Sequence, residues 1–224
     1  MNTSKTPARE RQWDGGLDRS DYSEWFLRAR DELADAARDA QWDQVLRLLR
    51  DEKGLTPDHW RVGGSSWFTP LHQAAWSGAP AGVVEDLVAL GASRTLTTFD
   101  GRTARDIAAD TGHDDLLPLL EPEPRNPTGR DVLSALDEHL ARLVEERIRP
   151  QLAVRLRPLQ TAILTELEQG SRVWFPIPGM YGGFSIALMR NYLDVESWSR
   201  VVGDSGQAHV ITAEGAVLVD EGFV

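Results

Sequence analysis

The sequence contains no cysteine. Disulfides, thiol catalysis, iron–sulfur clusters and cysteine-ligated zinc are thereby excluded. It has no apolar run near the ~20 residues of a membrane-spanning helix. The first residues, Met1 to Arg11, lack the apolar core of a signal peptide. Lysine is nearly missing: Lys5 and Lys53 stand against 22 arginines, a skew of genome composition more than of function. Basic charge is short overall, with 24 Lys and Arg against 35 Asp and Glu and a net charge of −11. A nucleic-acid binder needs a basic face to displace counterions, and an anionic membrane surface repels acidic proteins. The balance is 15 basic to 22 acidic residues through Arg125 and 9 to 13 after it, so no basic half is hidden by averaging. The expectation is a cytoplasmic protein with neither nucleic acid nor membrane as partner. Nothing implies a cofactor. His59, His72, His113, His139 and His209 include no pair at the i, i+4 spacing of a helical zinc site.

What is present is 224 residues, enough for one or two domains, with eight tryptophans. Residues 1–20 are polar with Gly15-Gly16 and read as a flexible arm. Ser20 or Asp21 can cap a helix starting near Tyr22, with Trp25, Phe26, Leu33, Ala36 and Ala37 at helical spacing. A second short helix carries Trp42, Val45, Leu46, Leu48 and Leu49.

A repeat follows. Thr69-Pro70-Leu71-His72 precedes Ala74-Ala75, Gly78, Val83-Val84, Leu87-Val88 and Gly91-Ala92. Thirty-four residues after Thr69, Thr103 opens a parallel series through Ile107-Ala108, Gly112-His113, Leu116-Leu117 and Leu119-Leu120. Ala36-Ala37, Val45 and Leu48-Leu49 form a weaker upstream copy. This series resembles the ankyrin repeat, a β-turn plus two antiparallel helices in ~33 residues. The resemblance spans roughly residues 30–121 and implies about three units in an all-α stack. It also implies a structural role for His72, bonding backbone across the turn. Two departures stand out: Trp67 occupies the usual turn-glycine position, and Ala104-Arg105-Asp106 replaces Pro-Leu-His.

Residues 122–129, rich in Pro and Gly, read as a linker. The C-terminal part, 130–224, reads as two helices followed by an antiparallel meander. The first helix carries a stripe from Val132 to Ile148 and is ended by Arg149-Pro150. The second runs from Leu159 to Leu167. From Val173 the period becomes two, with turns at Gly179, Gly182-Gly183, Asn191, Gly203-Asp204 and Gly215. Gly222-Phe223-Val224 reads as a docked end. The stretches Trp174–Phe184, Glu196–Gly203, Ile211–Gly215 and Glu221–Val224 resemble a module of uncharacterised ankyrin-repeat proteins of actinomycete bacteria. That resemblance implies a bacterial origin and no activity. The expected fold class is thus an all-α ankyrin-repeat stack, 21–121, followed by an α+β domain.

The resemblance implies a partner-binding face formed by turn tips and first helices, normally concave. Trp67, Phe68, Gln73, Trp76 and Ser77 map there from one unit, and Phe99, Asp100, Arg102 and Asp106 from the next. Aromatics with Arg are the usual interface hot spots, so the first reading is an interaction protein binding another protein. The second is an enzyme or small-ligand protein with a site in the meander or at its junction with the repeats. There Tyr181, Arg200 and His209 are the candidate polar groups, and Trp174 and Trp198 the candidate pocket walls. The third is an acidic inhibitor or immunity protein, which the charge permits. Gly203-Asp204-Ser205-Gly206 matches the serine-protease nucleophile motif in four residues only. A chymotrypsin-like fold needs two β-barrels, which the 95 residues of 130–224 with two helices cannot provide, so it reads as a turn between two strands.

Overall fold

The structure, a computed structural model, describes residues 11–148, 155–200 and 206–222. The Arg149-Pro150 helix stop, the Gly203-Asp204-Ser205 turn, the first ten arm residues and the Phe223-Val224 end lie outside the described residues. The chain divides into two compact units. One joins Met1–Gly16 to Pro124–Val224, and the other is Leu17–Glu123.

The Leu17–Glu123 unit is helical: α1 (Glu24–Arg38), α2 (Trp42–Asp51), α3 (Pro70–Ser77), α4 (Ala81–Ala89), α5 (Ala104–Thr111) and α6 (Leu117–Leu120). Ser23, not Ser20 or Asp21, caps α1, its side chain accepting from the Phe26 N–H. α1 packs on α2, α3 on α4 and α5 on α6, while α3 also packs on α1 and α5. Alanines at the crossings, Ala74, Ala75 and Ala108, are fully buried and allow close approach. His72 fastens the start of α3. Its Nδ1 accepts from the Thr69 N–H at 3.2 Å, so Nε2 carries the proton and donates to the Leu96 carbonyl at 3.1 Å. Gly78 ends α3 at φ 62°, and a side chain there would strike the His113 ring.

The other unit holds a six-stranded sheet in the order β1 (Arg11–Gln12), β2 (Arg172–Ile177), β3 (Gly182–Leu188), β4 (Leu193–Ser199), β5 (Gln207–Thr212) and β6 (Gly215–Glu221). β1 runs parallel to β2, and every later pair is antiparallel. Val173, Phe175, Phe184, Ile186 and Val195 share the inner, buried face. α7 (Arg130–Arg147) packs on β5 and β6. Asn126, between two prolines, is buried, and its side-chain amide donates to the Leu188 and Met189 carbonyls. That part of the expected linker is therefore a pinned segment.

The expected fold class does not hold. The sheet is mixed and takes its first strand from the N-terminal segment, ahead of every helix. The helices do not form a stacked all-α ankyrin repeat. They shrink from 15 residues in α1 to four in α6, which follows a 3-10 turn at Asp114–Leu116 and stops before Pro122. The stretch between α2 and α3 is no repeat turn either, because it buries Trp60 and Val62. In the sheet unit, the expected second helix is a 3-10 segment, Thr161–Glu166. The expected arm is also corrected: residues 11–12 form β1, and Trp13 to Gly16 are buried.

Candidate functional site

Two sets of residues carry the candidate chemistry, one in each unit. In the helical unit, Trp67 and Phe99 meet edge-to-face with centroids 5.0 Å apart. Phe68 and Trp76 meet at 6.4 Å and 68°. The Trp67–Phe68 peptide links the two pairs, and the Phe99 N–H donates to the Ser66 carbonyl. Trp76 is 53% exposed and Phe99 68% exposed. Trp67 stands at φ 58°, the left-handed region where glycine is cheap. A bulky residue there costs of order 1–3 kcal/mol, and such strain gathers at functional surfaces.

The polar residues expected on this face are less free. Arg102 donates to Asp100 at 2.8 Å and reaches Asp110 at 3.4 Å. The Thr98 hydroxyl, and then Arg102, hold the Asp100 carboxyl below its ordinary range. Asp106 accepts from the Thr103 N–H and hydroxyl at 2.9 and 2.7 Å. It closes the capping box of α5 opposite Thr103, the N-cap, while its side chain stays at the exposed surface. The Ser77 hydroxyl turns back to the Gln73 carbonyl within α3.

In the sheet unit, the turn between β2 and β3 and the ends of β3 and β4 frame an open concavity of about 390 Å³ on the outer face. Trp174, Pro176, Tyr181, Trp198 and Arg200 line it. The two indoles stack with centroids 4.4 Å apart and planes 24° apart. Tyr181 projects at φ 50° and is 77% exposed. Tyr181 and Arg200 thus share a site, but His209 does not join them. It pairs with Val195 of the inner face, three residues from outward Trp198. The expected catalytic trio therefore does not form, because strand alternation separates it across the sheet.

His209 serves the interior instead. Burial first, and then Arg147, push its imidazole below 6.5, with a smaller opposing pull from Glu146. A base with a lowered folded pKa stabilises the fold above its unfolded pKa and loses that contribution as pH falls. Asp137 has the opposite sign. Burial raises its carboxyl above 3.8 against hydrogen bonds from Thr161, so its contribution is present in acid and lost as pH rises. Between pH 7.5 and 5.5, His209→Gln is expected to lose less urea resistance than wild type. Equal losses would show that His209 does not carry the effect.

Sequence reasoning missed several organising groups. Arg30 and Arg157 are fully buried. His59 Nδ1 accepts from the Thr56 N–H, as His72 does from Thr69, and the neighbouring Asp58 accepts from the Ser93 N–H at 2.8 Å. The matching Thr56-Pro57-Asp58-His59 string was the available signal. Among the described residues, no group of three or more His, Asp or Glu is placed to hold a metal ion. No helix among them is long and apolar enough to cross a membrane. Compared with known proteins, the sequence matches no family model and no curated protein.

Proposed function

We propose that the protein is a binding module that recognises another protein through the helical unit, with Trp67, Phe68, Trp76 and Phe99 as the contact residues. The observation that supports this is the pair of linked aromatic contacts with two large rings left in solvent. Aromatic side chains bring large area at low entropy cost and are over-represented among interface hot spots. The rings are held before any partner arrives, since each leans on another and the Phe99 backbone is bonded to Ser66. Such pre-organisation lowers the ordering cost of association. Asp100 and Arg102 supply a paired polar border, as the rims of interfaces do.

The test is affinity capture followed by quantitative comparison of variants. Loss of a hot-spot ring costs ~2 kcal/mol or more, about thirtyfold in affinity. Trp76→Ala and Phe99→Ala should each deplete the same captured protein by that order. Trp25→Ala, which removes an exposed indole from α1, should leave its capture intact. If a partner survives both Trp76→Ala and Phe99→Ala, the aromatic face is not where it binds.

A further inference from the structure

The outer-face concavity of the sheet unit has a hydrogen-bonding character that narrows what can fill it. Among the described residues, the indole N–H groups of Trp174 and Trp198, the Tyr181 hydroxyl and the Arg200 guanidinium have no partner. All four can donate, and only the Tyr181 hydroxyl can also accept. The lining carries no carboxylate and no side-chain amide. The nearest acidic groups on this face are already engaged. Asp194 and Glu196 bind the Arg172 guanidinium at 2.6 and 3.0 Å.

The walls are largely apolar. The stacked indoles form one wall, Pro176 adjoins them, and Tyr181 stands at the turn. Gly179 and Gly182 complete the lining without side chains, and a side chain at Gly182 would strike the Trp198 carbonyl. Between the strands, Gly183 lies opposite both Pro176 and Trp198. The turn is tied to β4 by the Ser199 hydroxyl donating to the Met180 carbonyl at 2.8 Å. The Arg200 N–H donates to the Tyr181 carbonyl at 3.4 Å.

A matching occupant must bring acceptors and apolar rings while bringing few donors. Sugars fit that condition less well, because each hydroxyl brings a donor and the lining side chains offer one acceptor, the Tyr181 hydroxyl. Base edges carry donors as well as acceptors and meet the same difficulty. A polyproline II segment does meet it. Its prolines have no N–H, its carbonyls point outward unpaired, and its rings pack on aromatic faces. The groove is open, as an extended chain requires, and Arg200 adds one positive charge at its end.

We infer that this concavity binds proline-rich peptide in the polyproline II conformation, with an acidic residue of the peptide meeting Arg200. Carbonyls of the peptide accept from the two indoles and from Tyr181. This site is in the other unit from the aromatic face of the helical unit and does not depend on that face.

The experiment is calorimetric titration of the full chain with a hexaproline peptide carrying one glutamate at each end. A glycine–serine peptide of the same length and charge is the control. The proline peptide should bind saturably and at least ~10-fold more tightly than the control. Trp198→Ala should weaken it by about tenfold or more. Tyr181→Ala, at an exposed turn position that leaves the fold intact, should weaken it by several-fold. Arg200→Gln should remove the preference for the glutamate-bearing peptide over plain hexaproline, and with it the salt dependence. The double variant Trp76→Ala with Phe99→Ala should bind the peptide as wild type does. Equal affinity for the two peptides, no heat at millimolar peptide, or full binding by Tyr181→Ala and Arg200→Gln would each overturn the assignment.

Discussion

Gly15→Ala is expected to destabilise the sheet unit by about 3 kcal/mol, at or above the usual limit for overpacking. A Cβ at this position would lie 2.5 Å from the Arg157 carbonyl oxygen and 2.7 Å from the Phe175 ring. Neither neighbour can retreat cheaply. The Arg157 carbonyl accepts from the Trp13 indole at 3.0 Å, and the Arg157 N–H donates to the Gly15 carbonyl at 2.7 Å. Phe175 is fully buried on the inner sheet face. The added methyl must therefore break a hydrogen bond or shift a core ring. Releasing the segment would also expose Trp13, whose N–H donates to the Trp174 carbonyl beside β1. Urea unfolding should show a lower midpoint for Gly15→Ala. Gly82→Ala is the contrast, because Gly82 lies inside α4 with open space around its Cβ. There, in the first turn of the helix, alanine should leave the midpoint unchanged or raise it, by at most about 0.5 kcal/mol. If Gly15→Ala unfolds at the wild-type urea concentration, the N-terminal strand is not docked as described.

The same glycine shows where the sequence misleads. Gly15-Gly16 in a polar stretch has the composition of a flexible arm, and a two-residue parallel strand leaves no periodicity to detect. Its partners are more than 140 residues away, so no local pattern announces them. The meander was legible for the opposite reason. From Val173 onward, apolar and polar residues alternate, glycines mark the turns, and each strand pairs with its neighbour in sequence. Helix positions were also legible, since Thr69-Pro70 and Thr103 carry capping chemistry. The uniform stack was not, because similar spacing tolerates helices of very different length and a long loop with its own buried Trp60. Among candidate sites, the outward aromatics of β2 and β4 were readable from alternation and the Tyr181–Arg200 pairing from turn adjacency. His209 was misplaced because its parity relative to Trp198 depends on the β4–β5 register, which sequence spacing alone leaves open.

Arg30→Ala is expected to cost the helical unit about 3–5 kcal/mol, combining a large cavity with a broken buried network. Arginine at position 30 looks like an ordinary polar helix residue in the sequence, yet it is 1% exposed. Its guanidinium lies over three rings, at 4.9 Å from Trp60, 5.3 Å from Tyr22 and 5.7 Å from Phe26. Nε and one terminal nitrogen donate to the Trp60 carbonyl at 3.1 and 2.8 Å. A planar, weakly hydrated cation suits a slot between aromatic faces, whereas a lysine ammonium is compact and strongly hydrated. Arg30→Lys should therefore remain clearly destabilised although charge is conserved. Arg30→Met separates packing from charge. It refills much of the volume and buries no ion, which offsets the lost attraction. The Trp60 carbonyl then loses its donors, at a cost of about 1–3 kcal/mol. The expected order of stability is wild type, then Met, then Ala, with Lys below wild type, read from the helical unit's thermal transition. If Arg30→Ala melts with wild type, the arginine does not hold α1 against the Trp60 loop. The consequence reaches the aromatic face, because α3 packs on α1. A loosened α1 should weaken partner capture without any change at Trp76 or Phe99, and Arg30→Met should restore capture in proportion to the stability it restores.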